Sequence, residues 1–93
     1  MTLSNQELLS EKSRIPEWEY DSYSLVLKRV FLFSNFTEAI SFVQKVSEKA
    51  EAQNHHPTIL IEYNKVTLTL STHDEGGVTE KDVALAVLID TIN

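Results

Sequence analysis

Three histidines occur in the chain, and all of them fall in one short stretch. His55 and His56 are adjacent and precede Pro57, whereas His73 follows a run of alternating apolar and polar residues. The imidazole has an unperturbed pKa of about 6.5, so histidine exchanges protons readily near neutral pH. Three such groups at the two ends of one predicted hairpin indicate a site for proton-transfer chemistry.

A predicted helix leads into the histidine pair. Asn35 and Glu38 have the spacing of a capping box, which opens a helix by satisfying its first backbone N–H groups. Apolar residues then recur at helical spacing, which predicts one buried face and a helix that runs to about Gln53. These residues are Ala39, Phe42, Val43, Val46 and Ala50.

The segment between His56 and His73 has the pattern of a β-hairpin. Ile59 to Tyr63 predicts one strand, Asn64-Lys65 a tight turn, and Val66 to Thr72 a second strand. Apolar and polar residues alternate in the second strand, so its two faces differ in polarity. By the same alternation His73 is expected on the polar face, away from the core under the helices.

The first third of the chain predicts a helix and two strands. Ser4 and Glu7 form a second capping-box pattern, for a short helix that reaches about Lys12. Ile15-Pro16 ends it, because the residue before a proline is displaced from helical geometry. Two strands are then expected around a turn at Asp21-Ser22; they are Trp18 to Tyr20 and Ser24 to Phe33.

The end of the chain completes the predicted fold. Gly76-Gly77 predicts a turn, and Thr79 caps a last helix that extends to about Ile92. Strands joined by short turns pair antiparallel. We therefore expect one α+β domain over residues 1–93, in which three helices pack on one face of a four-stranded antiparallel sheet in the order α-β-β-α-β-β-α.

The last helix is apolar on almost every side. Between Val83 and Ile92 nearly every side chain is aliphatic. A helix of this kind has to be covered on several sides, and a chain of 93 residues offers few places for that. The sequence therefore predicts an interface between subunits at this helix.

Charge and composition exclude several classes of function. Fourteen acidic against eight basic residues give a net charge of −6, which opposes direct binding to nucleic acid. Cysteine is absent, so disulfides and thiolate metal sites are excluded. Met1 to Lys12 lacks the pattern of a secretory signal, and no apolar run is long enough for a bilayer. We expect a cytoplasmic protein, with the nucleus as the alternative compartment, and no membrane partner.

The spacing of the candidate residues resembles a known signature. Three residues separate Glu51 from His55-His56-Pro57, five follow before Tyr63, nine more before His73, and Asp82 comes after it. This pattern is similar to that of the pterin-4a-carbinolamine dehydratases. The resemblance extends from Trp18 onward and includes further segments: Arg29, Phe31, Phe33, Phe36, Tyr63 to Val66 and Leu70 to His73.

The resemblance implies a hydro-lyase that converts 4a-hydroxytetrahydropterin to quinonoid dihydropterin in the recycling of tetrahydrobiopterin. It implies His55 and His73 as the acid–base pair, and it requires no cofactor. Substrate binding is implied for four further residues, with His56 as an orienting group: His56, Pro57, Glu51 and Asp82. It also implies a tetramer built as a dimer of dimers. The rival function is that of a dimerisation cofactor for a homeodomain transcription factor, as in similar animal proteins.

Some of these residues also suit a purely structural role. Glu51 has the position of an ordinary helix-face carboxylate as well as of a group that orients an imidazole. Asp82 lies three residues after Thr79, where a capping box places an acid, and both roles are compatible. Tyr63 is expected to pack rather than react. A metal site of three histidines is disfavoured, because adjacent residues rarely converge on one ion.

Two positions depart from many animal members of the family. Those proteins have an acidic residue just before the histidine pair, where this chain has Asn54. They also have a tryptophan two residues after the proline, where this chain has Ile59. Ile59 removes an aromatic surface for a planar ring, so these departures bear on affinity and on the choice of pterin.

Overall fold

The computed structural model describes residues 1–92 and has the predicted element order. Three α-helices and four strands follow one another in the expected order, with a 3₁₀ turn after the first helix and another before the last. The elements are α1 Asn5–Glu11, the turn Lys12–Arg14, β1 Glu19–Asp21, β2 Val26–Leu32, α2 Phe36–Gln53, β3 Thr58–Glu62, β4 Lys65–Leu70, the turn His73–Glu75 and α3 Glu80–Asp90. The α+β prediction is confirmed.

The four strands form one antiparallel sheet in the order β1-β2-β4-β3. Its covered face includes alternate residues of β4, and Val66, Leu68 and Leu70 are fully buried there. The predicted alternation in this strand is therefore confirmed. Four residues of α2 pack into the same core: Ala39, Phe42, Val46 and Ala50.

The helix starts follow the predicted caps, with one difference. Ser4 and Glu7 form a complete capping box at α1, and Thr79 and Asp82 form another at α3. At α2 the Asn35 side chain accepts from the Glu38 N–H, but the Glu38 carboxylate accepts from the N–H of Ser34. The second half of the predicted box is thus displaced by one residue.

The β3–β4 hairpin turns one residue earlier than predicted. Its two turn residues are Tyr63 and Asn64, and Tyr63 has a positive φ of 55°. The Asn64 amide donates to the carbonyl oxygen of Phe33 at 2.8 Å, and the Phe33 N–H donates to the Asn64 carbonyl oxygen at 2.9 Å. Tyr63 is 66% exposed, so its side chain does not pack in the core of the subunit, and its expected role in packing rather than chemistry stays a prediction.

Helix α3 lies largely within the subunit's own core. Four of its aliphatic residues are buried: Val83, Leu85, Ala86 and Ile89. Ala84, Val87 and Leu88 are only half-buried, and they form the apolar surface of the helix that remains accessible. None of the helices within residues 1–92 combines the length and apolar character needed to cross a membrane.

Candidate active site

The end of α2 sets the position of the histidine pair. Asn54 adopts the left-handed conformation, with φ 50° and ψ 42°, and its N–H bonds the carbonyl oxygens of Ala50 and Glu51. The His55 N–H also donates to the Ala50 carbonyl oxygen, at 3.1 Å. Asparagine tolerates this conformation better than most residues, so Asn54 suits the point where the chain leaves the helix. His55 follows directly after this turn.

His55 forms a hydrogen bond with the carboxylate of Asp82 at the start of α3. The distance from His55 Nε2 to Asp82 Oδ1 is 2.5 Å. The imidazole is 12% exposed, and the carboxylate is fully buried. Because Asp82 also closes the capping box with Thr79, the same carboxylate caps α3 and contacts a candidate histidine.

Two threonines hold the other oxygen of the Asp82 carboxylate. Oδ2 accepts from the Thr72 hydroxyl and from the Thr79 N–H, each at 2.8 Å. The two threonine hydroxyls are themselves 2.7 Å apart, and both residues are buried. The positive end of the α3 dipole also stabilises a negative charge at this position. With both oxygens occupied and no exposed surface, Asp82 has no face left for a substrate.

His56 forms a second histidine–carboxylate pair, on the surface. Its Nε2 lies 2.5 Å from Oε2 of Glu51 on the last turns of α2. The side chains are 56% and 75% exposed, so water screens their attraction strongly. Glu51 therefore contacts the second histidine of the pair and not His55. Pro57 is half-buried and directly precedes β3.

His73 lies at the same end of the sheet, on an exposed turn. Strand β4 ends at Leu70, so His73 belongs to the turn His73–Glu75 and not to the strand from which its orientation was predicted. Thr72 directly precedes it and pairs with Gly77 across the loop. In the hairpin register Thr58 pairs with Thr69. The segment that carries His55 and His56 and the segment that carries His73 therefore lie at the same end of the sheet.

A cavity of about 230 Å³ opens beside His55, between the end of α2 and the first turns of α3. It is lined by Gln53, His55, Glu80, Lys81 and Ala84. The sequence did not single out Lys81 or the hydroxyl of Thr72. Thr72 appeared in the sequence analysis only within the segment Leu70 to His73 that resembles the family, without a role of its own. Within residues 1–92 no three histidine, cysteine or acidic side chains are placed to share a metal ion.

The fold and the site together define a class of protein: an α+β domain in which a buried carboxylate supports one histidine, and two further histidines lie on segments at the same end of the sheet. The family model for pterin 4 alpha carbinolamine dehydratase matches residues 1–92. The chain belongs to this family, whose members are hydro-lyases.

Relatives from distant organisms cover nearly the whole chain. A protein of Picosynechococcus sp. with the provisional name pterin-4-alpha-carbinolamine dehydratase is 48% identical over 90 residues, which are 97% of this chain and 96% of the relative. A protein of Sulfolobus acidocaldarius with the same provisional name is 44% identical over 92 residues, 99% of each chain.

Solved structures show the same fold. The crystal structure of a transcriptional coactivator/pterin dehydratase from Brucella melitensis superposes with a TM-score of 0.91 at 31% identity, over 98% of this chain and 97% of that one. A pterin dehydratase-like protein described as a RuBisCO assembly factor in the alpha-carboxysome superposes with a TM-score of 0.68 at 22% identity, over 81% of this chain and 87% of that one. The second likeness concerns the fold alone.

Proposed function

We propose that the protein dehydrates 4a-hydroxytetrahydropterin to quinonoid dihydropterin by histidine acid–base catalysis, as a step in tetrahydrobiopterin recycling. The observation that carries this proposal is the contact between His55 and the buried Asp82, made by two residues of the family signature. Membership of the family supplies the substrate class.

The reaction needs two proton transfers. The hydroxyl on C4a leaves as water after it gains a proton, N5 loses a proton, and a C4a–N5 double bond results. A positioned imidazole contributes about 10²–10⁴-fold in rate to such a transfer. We assign the transfers to His55 and His73, and the buried carboxylate favours His55 as the group that accepts the proton from N5, because it stabilises the imidazolium that forms.

Binding of the pterin falls to the more exposed groups. We assign His56 to binding, with Glu51 as the partner that orients its ring, and Pro57 to fixing the backbone between the pair and β3. Asp82 was predicted to bind substrate as well. Since it is fully buried and bonded at both oxygens, we assign it instead to positioning His55.

We also propose that the protein is a tetramer, as the family resemblance implies. The half-buried side chains of α3, Ala84, Val87 and Leu88, support an assembly that uses this helix. Removing apolar surface from water contributes about 25 cal/mol per Å², which matters in a domain with a small core.

A turnover assay tests the proposed reaction. The carbinolamine is generated chemically, and its dehydration is followed by stopped-flow absorbance with and without the protein. We expect a rate proportional to protein concentration and well above the spontaneous rate. His73→Gln should lose most of the rate increase over the spontaneous reaction. Asp74→Asn, a control change at the next exposed position of the same turn, should keep that increase. A wild-type protein that adds nothing to the spontaneous rate would refute the proposal.

A coactivator role is the second candidate, because the Brucella melitensis structure is described as a transcriptional coactivator/pterin dehydratase. In this role the protein would dock the dimerisation helices of a homeodomain partner and would not contact DNA. Binding of such a helical peptide by a protein without dehydratase activity would favour this function over the first.

A further inference from the structure

We propose that Thr72 is a positioning residue that joins the two acid–base groups, and that Nδ1 is the nitrogen of His55 that exchanges the proton. The inference rests on the proposed function and extends it to residues outside the family signature. It depends on three observations: the direction of the hydrogen bonds around Asp82, the lack of a hydrogen-bond partner for Nδ1 of His55 in the described part of the chain, and the backbone hydrogen bonds of Thr72.

The hydrogen bonds around the Asp82 carboxylate have one consistent direction. The Thr79 N–H is necessarily a donor, and it shares Oδ2 with the Thr72 hydroxyl. Thr72 donates its only hydroxyl proton to Asp82. The Thr79 hydroxyl, whose oxygen lies 2.7 Å from the Thr72 hydroxyl oxygen, therefore has to be the donor between the two threonines. An ionised carboxylate that accepts from both threonines also accepts from His55. Neutral His55 therefore carries its proton on Nε2.

The other nitrogen of His55 is accessible and has no hydrogen-bond partner in the described part of the chain. No group within residues 1–92 forms a hydrogen bond with Nδ1. Every buried side-chain nitrogen and oxygen in this part of the chain has a partner, so Nδ1 has to be accessible from outside. His55 also lines the 230 Å³ cavity beside α3. In the Nε2–H form, Nδ1 has a free lone pair and can accept a proton from a molecule bound there.

The backbone of Thr72 holds the turn that carries the second histidine. Its N–H donates to the Gly77 carbonyl oxygen at 2.8 Å, and its own carbonyl oxygen accepts from the N–H groups of Glu75 and Gly76 at 3.0 Å each. The side chain of Thr72 thus supports His55 through Asp82, and its main chain supports His73 directly. A shift of Thr72 alters the spacing between the two acid–base groups.

Comparing Thr72→Val with Thr72→Ser separates the effect of the hydroxyl group from the effect of the side-chain volume. Valine has nearly the same shape but donates no hydrogen bond, whereas serine keeps the hydroxyl. We expect Thr72→Val to lower kcat about ten- to hundredfold, because it removes a hydrogen bond to a charged group that orients the base. KM should change little. Thr72→Ser should restore most of kcat, and the acidic limb of the pH profile of kcat/KM should move in the valine variant only.

Nitrogen NMR of ¹⁵N-histidine-labelled protein tests the tautomer without a turnover assay. The His55 signals are identified by their loss in His55→Gln. We expect neutral wild-type His55 to be protonated on Nε2, and Thr72→Val to reduce the preference for this tautomer. An Nδ1–H tautomer in the wild type would overturn the inference even if the variant failed to fold. So would a folded Thr72→Val protein with wild-type kcat and pH profile. An inactive wild type with the Nε2–H tautomer would contradict the proposed function instead, since the geometry at His55 would be as inferred.

Discussion

Asp82→Asn is the substitution whose effect the structure predicts in most detail. The amide has one oxygen and one NH2 group in place of two equivalent oxygens. Thr72 and Thr79 both donate to Oδ2, so the amide oxygen has to take that position. The NH2 group then faces Nε2 of His55 and donates to it. His55 can accept only if its proton moves to Nδ1, which fills the lone pair that is proposed to react.

The expected loss follows from this change of tautomer. A general base contributes about 10²–10⁴-fold to the rate, which corresponds to about 3–5 kcal/mol in the activation free energy. We expect a loss of kcat in this range. Folding should survive, because asparagine keeps the geometry and the bonds to both threonines. Without the negative charge, hydrogen bonds that each contribute about 1.5–3 kcal/mol to the free energy of unfolding become weaker. The substitution also removes the free-energy cost of burying a carboxylate, which offsets part of this loss.

Stopped-flow dehydration of the chemically generated carbinolamine measures kcat, and urea denaturation measures the free energy of unfolding. Glu51→Gln is the matched control, because it makes the same chemical change in the exposed pair with His56. It should leave kcat within a few-fold of the wild type. If Asp82→Asn were folded and turned over at the wild-type rate, the support of His55 by the buried carboxylate would have no catalytic role.

Three further predictions concern binding, metals and assembly. His56→Ala should raise KM more than it lowers kcat, and an unchanged KM with a collapsed kcat would make His56 a proton donor. Turnover should survive exhaustive chelation, and activity that is lost to a chelator and restored by zinc would identify a metal enzyme. Leu88→Glu, at a half-buried position of α3, should dissociate the assembly in light scattering, whereas Ile89→Glu, at a fully buried one, should unfold the subunit; a wild-type monomer at micromolar concentration would contradict the tetramer.

Local patterns in the sequence were sufficient for most of the fold. The caps at Ser4 and Thr79 and the alternation from Val66 to Leu70 each depend on neighbours within a few residues, so the sequence alone indicates them. The turn at Tyr63 was missed because a positive φ is unusual for tyrosine, and the contacts between Asn64 and Phe33 that accompany it come from a distant segment.

The sequence named His55 and Asp82 as candidate site residues, but it did not predict the hydrogen bonds that connect Asp82 to His55 and to Thr72. The capping pattern placed Asp82 in the first turn of α3, and the family resemblance named it with His55. That its other oxygen binds Thr72 could not be read from the sequence, because this contact depends on how the loop between β4 and α3 folds back, with Thr72 paired to Gly77. The orientation of His73 was predicted from strand alternation, which no longer applies once the strand ends at Leu70.

Acid–base catalysis by the two histidines is tested most directly by the turnover of His55→Ala and His73→Ala on 4a-hydroxytetrahydropterin, measured beside the wild type. Thermal unfolding of each variant confirms that it is folded. The proposed acid–base mechanism predicts that each substitution lowers kcat by about 10²–10⁴-fold, since each removes one of two proton-transfer groups. Folded His55→Ala and His73→Ala proteins that both keep wild-type turnover would contradict it.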